Sequence, residues 1–298
     1  MAYTHIFPPS PKKYMPSRDK AAQSTFFHSA IRNNFSLSSW LLLGACLQTI
    51  LVVLVPQRYA LLFPIVVISI RLFNNLLITF GLKTNPYLEG SFPMKITAMP
   101  MDRDGKFAGP GKEKIAVLLL GAKSNHPMGI FAPHYKTLGK HLSGMTSELE
   151  NDMTQESGFL GATSWAREHL NGANEAIQIS YWRSIDDVHR FAHGPSHSKV
   201  WKWWYEVEGK VRHIGIMHEL FEADAGMWEN VYINFNPTLM GSTTYLMRDG
   251  KLEGGQVGDQ WISPLLDASK GMMGSSLGRR GVKSVSGGQV EEKFPGKE

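Results

Sequence analysis

Histidines are the side chains in this sequence with the most to offer chemistry. His218 lies in the run from His213 to Phe221 (HIGIMHELF), which reads as a strand. At a period of two, Ile214, Ile216, His218 and Leu220 share one face. A His among apolar neighbours has three readings. It can be a core residue hydrogen-bonded to backbone, a general base poised in a dry cavity, or an axial haem ligand. As a base it would take a proton from a phenol, an enol or an acidic C–H. The electron-rich carbanion left behind could pass an electron to O2. Glu219 points to the opposite face, so it is not a direct partner of His218 within one chain. It is left to meet substrate, a second subunit or a structural Arg.

His193 and His197 flank Gly194-Pro195, and His197 lies four residues before Trp201, on one helix face with it. His197 is a candidate for positioning substrate or oxygen; its plainer role is that of a polar residue at a helix start. His189, His193 and His197 step by four, but Pro195 interrupts that helix and no Glu stands in a metalloprotease arrangement, so no metal site is expected. Tyr181 and Trp182 alternate on a strand, so one of them should line a cavity. Trp201 and Trp204 add aromatic area, either as core or as the wall of a flat, greasy pocket. Tyr232 and Asn234, in the segment Trp228 to Phe235, could donate hydrogen bonds to a carbonyl or developing oxyanion, and Glu229 has a similar status. Ordinary loop bonding is the alternative for all three. The glycines from Gly105 to Gly111 do not open a strand-to-helix turn, no Ser nucleophile elbow is present, and the sole cysteine, Cys46, falls in an apolar segment.

The elements that must position these residues lie between Lys114 and about Asp249. Lys114 to Gly121 is a continuous apolar run of strand length. Tyr135, Leu138, Leu142, Met145 and Leu149 step by three and four and mark a helix face. Gly158 to Ala166 reads as a strand, Asn171-Gly172 as a turn, and Glu175 to Trp182 as the next strand. Ser184 to Asp187 resembles a capping box, so a helix starts there; after Gly194-Pro195 it resumes, with Ser196 as its cap. The strand carrying His218 closes the series. The order β-α-β-β-α-β predicts a ferredoxin-like α+β module with both helices on one face of an antiparallel sheet.

The rest of the 298 residues reads as attachment and connection. Trp40 to Val55 is apolar and uncharged, and a second apolar stretch runs from Tyr59 to Leu82, interrupted by Pro64, Arg71 and Asn74-Asn75. Together they predict a membrane anchor over 39–82, of one helix or two. The net charge of +5 is concentrated at the ends: +4 in residues 1–38 and +3 in residues 270–298, leaving the middle at −2. That excludes a DNA-binding body, and no nucleic-acid partner is expected. The basic N-terminal segment, with Lys83, Lys95 and Arg103 after the second stretch, places both flanks on the cytoplasmic side. Proline-rich 83–113 reads as a linker, 114–249 as the folded module, and 250–298 as a flexible tail.

Four segments also carry a family resemblance. They are Tyr181-Trp182-Arg183-Ser184; Phe191 to Pro195 with His197 and Trp201; Gly215 to Glu219; and Glu229 to Asn234. Together they resemble a monooxygenase-like family of the dimeric α/β-barrel superfamily, which includes the antibiotic-biosynthesis-type monooxygenases and, among its haem-binding branches, the aldoxime dehydratases. Fungal members with an N-terminal membrane segment are the most similar in layout. The resemblance implies a homodimer joined through the open faces of two sheets, with a substrate cavity between sheet and helices in each subunit. It implies O2 and a lipophilic polyketide- or terpenoid-type substrate of secondary metabolism, and no required cofactor, with haem as the alternative. The expected location is a membrane, that of the endoplasmic reticulum, with the module facing the cytoplasm. A dehydratase-like activity and a non-catalytic accessory role in a membrane-associated pathway stay open beside the monooxygenase reading.

Overall fold

The computed structural model describes residues 3–13, 28–167, 175–251 and 257–282. Its principal helices are α1 (Leu37–Leu54), α2 (Gln57–Thr79), α3 (Tyr135–Asn151), α4 (Ile185–Ala192), α5 (Pro195–Val207) and α6 (Ser276–Arg279). Its strands are β1 (Ile96–Ala98), β2 (Ile115–Ser124), β3 (Phe159–Arg167), β4 (Glu175–Trp182), β5 (Ile214–Ala223), β6 (Tyr245–Lys251), β7 (Val257–Ile262) and β8 (Leu265–Asp267).

β2 to β5 form one antiparallel sheet in the order β3-β4-β2-β5. This is the α+β split arrangement expected from the sequence, with α3 and the α4–α5 pair packed on one face. β2 has a strand on each side and material on both of its faces, which is why it reads as an unbroken apolar run. On the helix face, Ala116, Leu118, Trp182 and Leu220 pack with Leu149 of α3 and with Val188 and Phe191 of α4. Farther along, Ala122 and Ile214 pack with Leu138 of α3 and with Trp203, Trp204 and Val207 of α5. The turn at Asn171-Gly172 lies outside the described residues.

The helix starts differ in detail from their expectation. Ser184 caps α4, its hydroxyl oxygen accepting the Asp187 N–H at 3.3 Å, but Asp187 returns its carboxylate to the Ser184 hydroxyl (2.7 Å) rather than to backbone. Gly158, at φ +75°, lies so close to Asp187 that a Cβ there would stand 2.4 Å from the carboxyl carbon. α5 is not capped by Ser196. Gly194 is the N-cap and Pro195 occupies the first helical position, where its missing N–H costs nothing, while Ser196 donates to Glu148 at 2.5 Å.

The other face of the sheet carries a second layer that the sequence did not suggest. The expected linker 83–113 contains β1 and the buried Met99 and Met101, and the expected tail contains β7, β8 and α6. β1 pairs with β8, and β6 pairs with β7. Ile96, Tyr245, Leu265 and Leu266 are fully buried there and pack with Tyr181 and Val117 from the sheet. Residues 283–298 of the tail lie outside the described residues. The N-terminal segment joins this layer: His5 bridges to Leu266, Ser10 bridges to Trp261, and Lys13 donates to the Glu150 and Asp152 carbonyls at 2.9 Å.

α1 and α2 are both long and apolar enough to cross a bilayer. No residue of α1 is buried, and in α2 only Ala60 is. Pro56 separates the helices, and Gln48 of α1 reaches back to the Ala60 carbonyl at 2.9 Å. At a rise of about 1.5 Å per residue, 18 and 23 residues extend roughly 27 and 35 Å.

Candidate active site

The register of the sheet fixes which side chains face the helices. His218 lies opposite Leu120, and Leu120 lies opposite Gln178, so the three form a row across β5, β2 and β4. That row falls between the two hydrophobic clusters of the helix face. Gln178 is held by Thr146 of α3 through mutual side-chain bonds of 3.0 and 3.2 Å. His218 and Ile216, on the edge strand β5, remain exposed although they face the helix side.

His197 stands near this row at the start of α5, half-buried, with its Nδ1 shielded from water and without a hydrogen-bond partner. Burial lowers its pKa; a backbone bond to Ala192 works the other way, and the neighbouring His193 and His218 lower it further. Its surroundings therefore favour the neutral form of the His197 imidazole. Its ring lies between Phe191 (6.3 Å) and Trp201 (5.9 Å), and Trp201 stacks on Tyr205 at 5.8 Å. Trp201 and Tyr205 are both exposed, so an aromatic strip runs outward from His197 along α5. Trp204 instead packs into the core with Trp203.

The other residues singled out in the sequence do not gather here. Trp182 faces the helices but is fully buried against Phe159, its indole N–H bonded to Ser180 at 2.9 Å. Tyr181 faces the opposite side, as alternation requires, and joins the second layer. Tyr232 is also in that layer: its hydroxyl donates to the Thr238 carbonyl and accepts the Gly241 N–H, both at 2.9 Å. Burial raises its pKa well above the ordinary value. Asn234 is exposed in the left-handed region at φ +51°, and its N–H pairs with the Phe92 carbonyl. Glu229 forms an ion pair with the buried Arg279. Glu219 is exposed on the face away from His218. Of the four expected catalytic residues, the fold unites His218 and His197 and sends Tyr232 and Asn234 to the other side. The cause is the chain after β5, which crosses to the open face and pairs with β1 and Phe92.

Gln178 and Thr146 went unnoticed in the sequence. The available signal was period two in Glu175 to Trp182, which puts a polar Gln178 on the face of Trp182. Among the described residues, no three His, Cys, Asp or Glu side chains cluster as metal ligands.

Comparison with known proteins places this geometry. A relative, Monooxygenase af470 of Aspergillus fumigatus, is 29% identical over 237 residues, covering 79% of this chain and 84% of its own length. A crystal structure of an aldoxime dehydratase is 20% identical with a TM-score of 0.36, over 51% of this chain; the chain spans only 41% of that enzyme's length. A variant of SnoaB, a cofactor-independent oxygenase from Streptomyces nogalater, is 17% identical with a TM-score of 0.24, over 36% of this chain and 90% of its own. Likenesses at these scores lend no weight to function. The family model described as Monooxygenase af470-like matches residues 115–240, the span that holds the four-stranded sheet, α3 to α5 and both histidines. The monooxygenase-like resemblance read from the sequence thus holds, and it is carried by the residues that position the two histidines.

Proposed function

We propose that this protein is a membrane-anchored monooxygenase in which His218 takes a proton from a lipophilic, aromatic substrate. The observation that carries the reading is the exposed His218 imidazole on the helix face, beside His197, whose neutral form burial favours. His218 accepts the proton of an acidic C–H. The carbanion gives an electron to O2, and recombination forms a C–O bond as a hydroperoxide. Loss of water then leaves a carbonyl, so one O2 yields one carbonyl oxygen and one water. Trp201 and Tyr205 offer a flat surface for a polyketide- or terpenoid-type ring system. The monooxygenase name of the 29% identical relative supports the reaction class.

A homodimer fits the part of the sheet's open face that the second layer leaves uncovered. Trp165, Met217 and Phe221 are exposed there, and Glu219 would then face the partner. The anchor fits a hairpin. Residues 3–13 pair with β7 and β8 before the apolar helices, and the module follows them, so both flanks lie on one side of the bilayer. The positive charge of both flanks favours the cytoplasmic side, and the membrane is that of the endoplasmic reticulum.

The test is O2 uptake by the full chain in lipid nanodiscs with an anthrone, a flat aromatic ketone with an acidic C–H. Wild type should consume O2 and His218→Ala should not. Equal turnover in a folded His218→Ala variant would sink the base role, and anthrone binding without O2 uptake would assign an accessory function. Haem is the second reading, favoured by the same exposed imidazole, which could serve as an axial ligand. A Soret band at one iron per chain after expression with ample haem would establish it.

A further inference from the structure

We propose that the cleft around Arg183 is a second binding site, for a small monocarboxylic acid. It lies across the sheet from His218, because alternation turns Tyr181 to the open face, Trp182 to the helices and Arg183 to the open face again. The cleft measures about 210 Å³, and Met101, Arg103, Glu113, Lys114, Arg183 and Tyr245 are among its lining residues.

Arg183 is largely buried, yet its partners are all neutral. It donates to the Met101 carbonyl (3.1 Å) and to Gln155 Oε1 (3.2 Å), and it lies 5.5 Å from the centre of the Tyr245 ring. Among the described residues no carboxylate comes within ion-pair distance of it; burial works against its charge, Arg103 adds to that, and Glu113 and Asp102 favour the charge only from farther away. Two of the five guanidinium N–H donors are used, and Arg183 lines the cleft. A guanidinium held out of water without an anion is costly, and a carboxylate accepting two parallel N–H bonds offsets that cost. Gln155 fixes the guanidinium in place: its Oε1 also accepts the Leu246 N–H (3.0 Å), and its Nε2 donates to the Thr244 carbonyl (2.6 Å).

The surroundings select the kind of anion. Lys114 is already paired with Glu222 at 2.8 Å, which leaves exposed Arg103 as the second cation able to reach a ligand. Glu113 and Asp186 also line the cleft and oppose a dianion, which disfavours phosphate. Met101 and Leu160 supply an apolar wall for the body of the acid. The Tyr245 phenol is fully buried beside Arg183, and desolvation pushes its pKa up to about 12, so it adds no negative charge to the cleft.

The probe is benzoate, titrated calorimetrically into the full chain in nanodiscs, with inorganic phosphate as competitor. The expected result is saturable uptake of one benzoate per chain, weakened at least tenfold by Arg183→Lys and by Arg103→Gln. Glu113→Gln should tighten it several-fold, and phosphate should not compete at equal concentration. No saturable uptake by wild type, an affinity unchanged in Arg103→Gln, or phosphate binding better than benzoate would each overturn the assignment. Should Arg183→Lys not fold, the opposite shifts expected of Arg103→Gln and Glu113→Gln decide the matter. The site does not depend on the monooxygenase reading, because none of these measurements uses O2.

Discussion

His218 and Tyr232 lie on opposite faces of the same four-stranded sheet. His218 shares its face with Leu120 and Gln178, whereas Tyr232 packs in the second layer with its hydroxyl tied to Thr238 and Gly241. The two therefore have separable roles. His218→Ala should lower turnover by about 10²–10⁴-fold, as expected for loss of a general base, with melting temperature nearly unchanged. Tyr232→Phe should do the reverse. It leaves a buried carbonyl and N–H unpaired, costs about 1–3 kcal/mol of stability, and keeps turnover within about twofold. Thermal melts and O2 uptake on the same two preparations measure both. A Tyr232→Phe variant that melts normally but is inactive would return Tyr232 to the catalytic group.

His197 makes stability depend on pH in a defined window. Its folded pKa lies below the ordinary 6.5 because burial disfavours the charged imidazole. The unfolded chain then binds more protons than the folded one just below pH 6.5, so stability rises with pH there. The contribution is complete above about pH 6.5 and is lost as pH falls through the folded value. His197→Gln should flatten that slope in urea denaturation between about pH 5 and 7. An unchanged slope would mean that His197 titrates as an exposed residue.

The central module was legible because each of its elements carries a period. β2 reads as a continuous apolar run, α3 as a three-four stripe, and β5 as an alternation with His218 on one face. The second layer was not legible. β1 and β8 are three residues each and pair across some 170 positions of sequence, too short for any period to show. Its proline and glycine content read as linker, although Met99 and Met101 are core. The site was legible by halves for the same reason. His218 and His197 sit on elements whose faces follow from spacing. Tyr232, Asn234 and Glu229 sit on irregular chain whose direction only the long-range bridges to Ile96 and Phe92 decide.

Glu229 was expected to touch substrate, and its bond to Arg279 gives it a different consequence. Arg279 is buried and also donates to the Met273 carbonyl at 3.0 Å, so the pair fastens α6 to the second layer. Removing one member strands the other. Glu229→Ala should cost about 3 kcal/mol, the low end for a broken buried pair because the Glu229 side chain is partly exposed. O2 turnover at low temperature should stay near wild type. A double cycle with Arg279→Met separates the pair from the two single effects, and additive losses would show that the contact contributes nothing.

Asp152 anchors the turn that positions Gln155. Its carboxylate accepts the Thr154, Gln155 and Ser157 N–H groups at 2.9–3.0 Å. Desolvation raises its pKa, but the bonds from Ser157 and Thr154 outweigh that and bring it to about 2. The sign follows: its contribution is complete above the unfolded value near 3.8 and is lost as pH falls through about 2. Asp152→Ala should therefore lower stability at pH 7 and make the acid limb of the pH profile shallower. An identical acid limb in both proteins would place the stabilising charge elsewhere.

The proposed anchor makes a topological prediction. Ile6 donates to the Leu265 carbonyl and Ser10 to that of Trp261, so the chain before α1 is bonded to the module that follows α2. A single span would separate these partners by a bilayer and break four strand-like bonds, counting the returns from Trp261 to Ser10 and from Asp267 to Thr4. In sealed vesicles, epitope tags at the two ends should be cleaved together or protected together. Cys46, the sole cysteine and part of α1, should react with a bulky maleimide only after detergent is added. One tag cleaved with the other protected would rule out the hairpin. Cleavage of both tags with Cys46 freely labelled would mean that α1 lies outside the bilayer.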